Sequence, residues 1–309
     1  MKAVQIDEFG GPDVLQVRDI PVPVPGPGDA LIDIHSATVN PADWKSRNGG
    51  YAKPPEGFFP HTLGRDFSGV VSALGNDAEG LKVGDEVYGV TPQGADGAYA
   101  ETICIGADLV GLKPFSVSHD QAAALALTTL TAMIALEDTA HLAAGQRLLV
   151  QGGAGGVGSI GIQIAHHIGA HVITTASPGN HDYVTGLGAD EVIDYNTTDF
   201  TEALSDIDVV FDTVGGEVHT RSYSVLKPGG KVVWIGGQPA DFSNPRDDVE
   251  VLRPNVQRAR RFMDRISDFI TKGVIKTPEM QFMGLDDIRA AHELSATGHV
   301  RGKIVLKVR

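Results

Sequence analysis

Arg147-Leu148-Leu149-Val150-Gln151-Gly152-Gly153-Ala154-Gly155-Gly156-Val157-Gly158 is the part of the chain from which the rest can be read. Residues 148–150 form an apolar run of strand length that ends in glycines. The chain then passes into Ser159-Ile160-Gly161-Ile162-Gln163-Ile164-Ala165, whose apolar spacing suits a helix packed on one face. The order is strand, tight turn, helix. Gly153, Gly155 and Gly158 fit G-x-G-x-x-G, in which glycines allow a sharp turn, close approach of backbone to a pyrophosphate and tight packing of helix on strand. The phosphates would rest on free N–H groups at the helix start, where the macrodipole favours negative charge. A run this rich in glycine could also be a flexible loop; the flanking strand and helix favour the dinucleotide reading. Gly152, Gly153, Gly155, Gly156, Val157 and Gly158 are therefore assigned to cofactor binding.

The 309 residues suffice for two domains of ordinary size. An apolar content of 42% and a charged content of 21% are those of a soluble globular protein. A formal net charge of -14 opposes encounter with nucleic acid or an anionic membrane, so neither is expected as a partner. Residues 1–9 alternate like a strand and carry acids where a signal peptide needs an apolar core. The apolar stretch 122–136 contains three threonines and falls short of the roughly 20 residues that span a bilayer. A cytoplasmic protein is expected. With Cys104 alone, intramolecular disulfides and multi-thiolate zinc sites are excluded.

Residues 1–115 are rich in glycine, proline and short β-type runs at 15–19, 29–38, 69–74, 86–91 and 98–105. Turn signals such as Pro25-Gly26-Pro27-Gly28 and Val83-Gly84-Asp85 separate them, which predicts a small, mostly antiparallel β domain. No helix of any length is predicted before residue 118. Ser118 or Asp120 would then cap a helix through Leu136. From Arg147 strands (148–151, 171–176, 191–195, 208–214, 231–235) alternate with helical segments, predicting right-handed βαβ units and a doubly wound parallel sheet. Residues 249–252 suit a short sixth strand, and 255–272 an amphipathic helix whose Arg258, Arg260, Arg261 and Arg265 read as a solvated face. Residues 303–308 form a strand expected to return to the first domain. The expected division is 1–122 with 254–309, and 123–253.

Several further stretches resemble the medium-chain dehydrogenase/reductase superfamily, in its zinc-independent NADPH:quinone oxidoreductase branch. They are Met1-Lys2-Ala3-Val4, Asn40-Pro41-Ala42-Asp43 with Lys45, Arg47 and Gly49, and Leu63-Gly64-Arg65-Asp66-Phe67-Ser68-Gly69-Val70-Val71. Val83-Gly84-Asp85-Glu86-Val87, Gly97-Ala98-Tyr99-Ala100-Glu101, Leu187-Gly188-Ala189-Asp190, Asp212-Thr213-Val214-Gly215-Gly216 and Gly298-His299-Val300-Arg301-Gly302-Lys303 continue the resemblance in order along nearly the whole chain. It implies a GroES-like β domain built from both chain ends, an inserted Rossmann domain, and an active site in the cleft. Zinc-dependent members carry Cys, His-Glu and a further Cys or His where this chain has Asn40, Arg65-Asp66 and Ala123-Ala124-Leu125, so no soft or imidazole ligand remains and no metal is expected. On a helix the adjacent His166 and His167 would point in different directions, which does not suit a shared metal. His61 reads as a structural histidine rather than a base.

NAD specificity is usually marked by an acid at the end of the second Rossmann strand, about 20 residues past the glycines, bonding the ribose diol. Here that strand ends Thr174-Thr175-Ala176-Ser177. Ser177 could accommodate a 2′-phosphate that a carboxylate would repel, which favours NADPH over NADH. Tyr195 matches a tyrosine along the adenosine phosphate in quinone reductases, although Asn180 and His181 stand where those enzymes place Lys or Arg. The resemblance puts Asn40 and Thr128 at the nicotinamide half, Val214 and Ile235 on its face, and Lys303 beside it. As residues alone, Val214 and Ile235 are also ordinary strand-end core and Lys303 an ordinary exposed lysine.

Without a metal to polarise a carbonyl, hydride delivery suits an electron-poor acceptor, a quinone or the β-carbon of an α,β-unsaturated carbonyl. Tyr51 matches a cleft tyrosine that would bond or protonate the acceptor oxygen; it equally reads as a loop aromatic covering the cofactor. Asp66 would orient its neighbours. Two other readings stand beside this one: a 2-enoyl thioester (CoA or ACP) reductase, and a non-catalytic NADPH-binding redox sensor or structural protein. A homodimer paired through the sixth strand is plausible.

Overall fold

The computed structural model describes residues 1–50 and 55–309, so Tyr51 lies outside the described residues. Two compact units emerge: Met1–Leu127 with Gln257–Lys272 and Thr277–Arg309, and Thr128–Val256 with Gly273–Lys276. In chain order the strands are β1 (Lys2–Ile6), β2 (Gln16–Asp19), β3 (Asp29–Val39), β4 (His61–Thr62), β5 (Asp66–Leu74), β6 (Glu86–Val90), β7 (Thr102–Gly106), β8 (Val110–Leu112), β9 (Arg147–Gln151), β10 (His171–Ala176), β11 (Glu191–Asp194), β12 (Ile207–Asp212), β13 (Leu226–Trp234), β14 (Glu250–Leu252), β15 (Met280–Gly284) and β16 (Lys303–Lys307). The helices are α1 (Pro41–Arg47), α2 (His119–Met133), α3 (Gly156–Ile168), α4 (His181–Gly186), α5 (Phe200–Ala203), α6 (Gly216–Arg221), α7 (Arg260–Thr271) and α8 (Ile288–Ala296).

The first unit is the GroES-like domain. A seven-stranded sheet runs β15-β16-β3-β5-β6-β8, with β7 also on β3, and a smaller sheet runs β2-β1-β4. All pairs are antiparallel except β15 with β16. β3 organises the unit because its alternating residues Ala30, Ile32 and Ile34 bury into one core with Phe67, Val71, Ile304 and Leu306. Its register decides what meets at its far end: Thr38 pairs with Asp66 on β5, and Val39 with Ile304 on β16. Asn40, one residue beyond β3, and Lys303, one before Ile304, are thereby brought together. Period-2 alternation thus buries the middle of each strand and delivers polar residues to a shared end.

Four elements of this unit depart from the sequence-based expectations. α1 precedes residue 118; Pro41 occupies its first turn and the Asp43 carboxylate accepts the Asn40 N–H at 2.8 Å, the return half of a capping box. At seven residues its periodicity is too short to register. β15 and α8 were likewise not predicted. α7 starts at Arg260 rather than 255, and Arg260 is no solvated charge: its guanidinium donates to the carbonyls of Val110 (3.1 Å), Glu79 (2.8 Å) and Ala107 (2.5 Å).

The second unit is the Rossmann domain. Its six strands are all parallel, in the order β11-β10-β9-β12-β13-β14, the doubly wound order. Leu149, Ile173, Phe200, Val210, Tyr223 and Val232 belong to its buried core. The apolar helix beginning at His119 continues through a wider π-type turn to Thr139. At 21 residues and mean hydropathy 1.3 it reaches membrane-spanning length after all, but 78% of the apolar window is buried in the protein. That burial marks a core helix.

Candidate functional site

In the Rossmann domain the glycine turn leaves β9 at Gly152, whose φ of +78° lies in the left-handed region open to glycine. The turn is tied to β10: Gly152 N donates to Thr175 Oγ1 (3.1 Å) and Gly153 N to Thr175 O (3.1 Å). Gly153 and Gly158 are glycine because the protein fills the space. A Cβ would lie 2.1 Å from Thr174 Oγ1 at the first and 2.2 Å from Gly152 O at the second. Gly155 is different. Its φ of -74° suits any residue, and a Cβ there would meet nothing nearer than Gly152 O at 3.4 Å. It also caps α3 with no side chain to occupy the first-turn N–H groups. Gly155 thus keeps open a cradle that a Cβ would fill, beside Gly156 and Val157 at a helix start, which fits a pyrophosphate.

The register of β10 on β11, Ala176 opposite Asp194, places Ser177 and Tyr195 on the same sheet edge. Ser177 Oγ accepts from Asn180 Nδ2 at 2.9 Å, His181 Nε2 lies 3.3 Å from Ala176 O, and Tyr195 is half exposed. Asp194 is engaged by Asn196 N (3.0 Å) and Thr197 Oγ1 (3.1 Å). Thr128 is buried in α2.

Val214 and Ile235 sit on two loops braced by one residue. Asp212 Oδ1 accepts from the N–H groups of Val214 (2.9 Å) and Gly215 (2.8 Å), while its main-chain oxygen accepts from Ile235 N (2.9 Å). Asp212 Oδ2 lies 2.9 Å from His219 Nδ1, both side chains fully buried. A proton on Nδ1 leaves Nε2 as acceptor for Tyr223 OH and Gln238 Nε2, each at 3.2 Å. Val214 is half exposed, not core. The His219 brace was not anticipated; a histidine in a six-residue helix gives no periodic signal.

In the GroES-like domain, the shared end of β3, β5 and β16 carries a buried charged cluster. Lys303 Nζ donates to Asn40 Oδ1 (2.5 Å) and Val39 O (3.3 Å) and stands 3.8 Å from Asp66 Oδ2. Asp66 Oδ1 accepts from Thr38 Oγ1 (2.6 Å) and Asn40 Nδ2 (2.9 Å). Asp43 Oδ2 accepts from Tyr99 OH at 2.9 Å in addition to Asn40 N. Arg65 Nε lies 3.8 Å from Asp43 Oδ1, and its Nη2 donates to Ser46 Oγ at 3.1 Å. Two acids and two cations therefore balance, although among the described residues Asp43 Oδ1 and Asp66 Oδ2 accept no hydrogen bond. Burial pushes the Asp43 carboxyl up to about 6 against the pull of Arg65. It also lowers the Lys303 ammonium, with Asp66 opposing. At 4% exposure Lys303 is not the surface lysine that composition suggests. Beyond Tyr99, His292 Nε2 lies 3.3 Å from its hydroxyl, and Arg47 Nη1 lies 3.2 Å from His292 Nδ1. Burial and the Arg47 charge depress the His292 imidazole to about 3. His61 is 7% exposed, stacks on Phe58 and lies 3.3 Å from Asp96, as a structural histidine would.

Residues 26–115 match the alcohol dehydrogenase GroES-like domain and 187–306 the zinc-binding dehydrogenase family. A solved quinone oxidoreductase from Coxiella burnetii is 36% identical, with a TM-score of 0.92 over 100% of this chain and 99% of that one. The 2-methylene-furan-3-one reductase of Solanum lycopersicum is 35% identical over 99% of this chain and 79% of its own. Quinone oxidoreductase from Escherichia coli, solved with NADPH, is 28% identical with a TM-score of 0.92 over the whole of both chains.

Zinc, which the second family's name carries, does not fit the residues present. By the resemblance, the positions that would ligate it hold the Asn40 amide, the Arg65 guanidinium, the Asp66 carboxylate and the aliphatic side chains of Ala123, Ala124 and Leu125, and the Lys303 ammonium is bonded to Asn40 beside them. Among the described residues no group of three or more His, Cys, Asp or Glu side chains could hold a metal.

Proposed function

The chain belongs to the medium-chain dehydrogenase/reductase superfamily, in its quinone oxidoreductase branch, and is an oxidoreductase; from that premise we propose that it passes hydride from NADPH to a quinone or to the β-carbon of an α,β-unsaturated carbonyl, without zinc. The observation that carries this reading is the Lys303 ammonium bonded to Asn40, with Asp66 behind it, where a Lewis acid would have to be held. Alcohol oxidation loses the metal that polarises its substrate, so acceptors already electron-poor remain. The dihydronicotinamide supplies the hydride.

This chain's residues bind and orient. The N–H groups at the start of α3, past Gly155, take the pyrophosphate. Ser177, Tyr195, Asn180 and His181 surround a ribose 2′-phosphate with donors, and the second Rossmann strand itself ends without an acid. In the Rossmann domain Thr128, Val214 and Ile235 are proposed to contact the nicotinamide half, with Val214 and Ile235 kept in place by Asp212; in the GroES-like domain the resemblance assigns the same role to Asn40 and Lys303. Tyr51 is proposed to bond the acceptor oxygen. The names of the tomato and Coxiella relatives, an enone reductase and a quinone oxidoreductase, support the acceptor class, and the Escherichia coli complex supports the cofactor.

The test is NADPH and NADH oxidation by the purified chain against 1,4-benzoquinone, 9,10-phenanthrenequinone, an alkenal and crotonyl-CoA, with and without a chelator. Turnover with NADPH and a quinone or the alkenal, unchanged by chelator, is expected. Turnover confined to crotonyl-CoA would make the chain a thioester reductase. NADPH binding without turnover would make it a non-catalytic dinucleotide sensor, and chelator sensitivity would restore a metal.

A further inference from the structure

We propose that His219 is the positioning residue of the nicotinamide wall, its buried imidazole tying the Val214 loop and the segment 238–242 into one unit on which hydride transfer depends, an inference that rests on the reductase reading above. That reading puts Val214 and Ile235 against the nicotinamide. All the residues involved belong to the Rossmann unit, within Thr128–Val256.

The two ring nitrogens of His219 have opposite duties. A carboxylate only accepts, so the 2.9 Å contact of Nδ1 with Asp212 Oδ2 puts a proton on Nδ1. An amide nitrogen only donates, so Gln238 Nε2, 3.2 Å from His219 Nε2, makes that ring nitrogen the acceptor. The Tyr223 hydroxyl donates to the same nitrogen at 3.2 Å. Burial and the Asp212 charge push that hydroxyl up to about 12, so it keeps its proton. Donation thus runs one way, from Gln238 and Tyr223 through His219 to Asp212. The other Asp212 oxygen takes the N–H groups of Val214 (2.9 Å) and Gly215 (2.8 Å). His219 and Asp212 are both fully buried, so bulk water does not compete for the bond between them.

Packing holds the segment as well. The Phe242 ring meets the imidazole edge-on with centroids 4.7 Å apart and lies 5.4 Å from Tyr223. Phe242 N donates to Pro239 O at 3.1 Å, closing a turn between the two points of attachment. The backbones of the segment and the Val214 loop are in direct contact: Gly216 N donates to Gly237 O at 3.1 Å, and a Cβ on Gly236 would stand 2.4 Å from Val214 C. A shift of the segment is therefore passed to Val214, a half-exposed side chain placed by its backbone. At the nicotinamide a misplacement of about 1 Å costs about a hundred-fold in rate. Leucine would serve packing alone; the two opposed nitrogens are what leucine lacks.

The test compares His219→Leu, which fills the space without ring nitrogens, with His219→Gln, whose amide keeps one donor and one acceptor. Single turnovers of enzyme saturated with NADPH are followed with an acceptor that wild type reduces. His219→Leu is expected to slow hydride transfer about ten- to hundred-fold. Its Kd for NADPH, read by fluorescence, should stay within about three-fold, since the pyrophosphate cradle at α3 is untouched. His219→Gln should recover most of the rate. A merely structural histidine would lower the thermal midpoint and leave the rate per bound NADPH as in wild type, and that result overturns the proposal. A glutamine variant no faster than the leucine variant overturns it too. Should His219→Leu fail to fold, Gln238→Leu takes its place at a partly exposed position, cutting the bond to the segment while leaving the His219–Asp212 pair. It should slow hydride transfer about ten-fold with Kd for NADPH held, and an unchanged rate overturns the proposal. If wild type reduces no acceptor, the reductase reading fails and the fluorescence anisotropy of the bound dihydronicotinamide reads the wall instead. Lower anisotropy in His219→Leu than in wild type then sustains the role of His219, and equal anisotropy overturns it.

Discussion

The two domains solve their binding problems with opposite means. In the Rossmann domain the proposed phosphate site is made of backbone and empty space: glycines 152–158, a helix start, and no charged side chain. In the GroES-like domain the cluster around Asn40 is made of buried charge, Asp43 and Asp66 against Arg65 and Lys303, assembled from α1, β5, the residue before β5 and β16. A backbone site depends on shape and is indifferent to pH; a buried charge cluster is stable only while its ionisation states hold. The difference predicts which perturbation each domain will feel.

The largest effect is expected from acid on the GroES-like side. His292 is fully buried and its imidazole is depressed from 6.5 to about 3, so the folded state resists a proton that the unfolded chain accepts. Stability is therefore lost as pH falls from the unfolded value near 6.5 toward about 3, by about 5 kcal/mol in all. His292→Gln should flatten this loss in denaturant titrations between pH 7 and 4, whatever it costs at neutral pH. A parallel acid slope in variant and wild type would remove His292 from the account.

Two residues along the same chain of contacts, Asp43 works the other way. Its carboxyl is raised from 3.8 to about 6, so its contribution to stability is complete below 3.8 and is lost as pH rises through about 6, a swing of about 3 kcal/mol. Asp43→Asn should lack that swing. Comparing wild type with the variant at pH 4 and 8 isolates it, and an identical pH dependence would show that Asp43 is not raised.

The Rossmann side should ignore both titrations and respond to single methyl groups. Gly158→Ala puts a Cβ 2.2 Å from Gly152 O, and overpacking against backbone is expected to cost about 3 kcal/mol of stability. Gly155→Ala has room, so its thermal midpoint should hold while NADPH affinity falls about ten-fold, or about 1.4 kcal/mol. Equal effects of the two alanines on stability would erase the distinction between a glycine required by packing and one required by a ligand. Smaller still, Ser177→Asp should lower the NADPH-over-NADH preference in kcat/KM by about ten-fold, a carboxylate beside a 2′-phosphate being worth about 1 kcal/mol or more. An unchanged ratio would place the 2′-phosphate elsewhere.

The same contrast explains what the sequence disclosed. The Rossmann site was legible because its determinants are consecutive: a strand, glycines at fixed spacing and a helix, with Ser177 and Tyr195 at positions set by the next two strands. The GroES-like cluster was legible only in part. Asn40 and Lys303 were named through resemblance, but the burial of Lys303, the pairing of Arg65 with Asp43, and the run from Tyr99 to His292 and Arg47 depend on the register of β3 with β5 and β16 and on the unforeseen helices α1 and α8. Nothing local distinguishes a lysine destined for the interior from one destined for solvent. α1 could have been found, since Asn40, Pro41 and Asp43 are cap, first-turn and box residues. The bracing of Val214 and Ile235 by Asp212 and His219 could not, because it joins the ends of two strands through a helix too short to show a period.

The central claim is that hydride passes directly from NADPH to the carbon of an activated acceptor. A single turnover of the purified chain with NADPH deuterated on the transferring face of C4 and an α,β-unsaturated aldehyde, analysed by mass spectrometry, tests it most directly. The account predicts one deuterium on the β-carbon of the saturated product, in the presence of chelator as in its absence. Reduction at the carbonyl carbon to an allylic alcohol, or no deuterium transfer together with no turnover of a quinone, would contradict it.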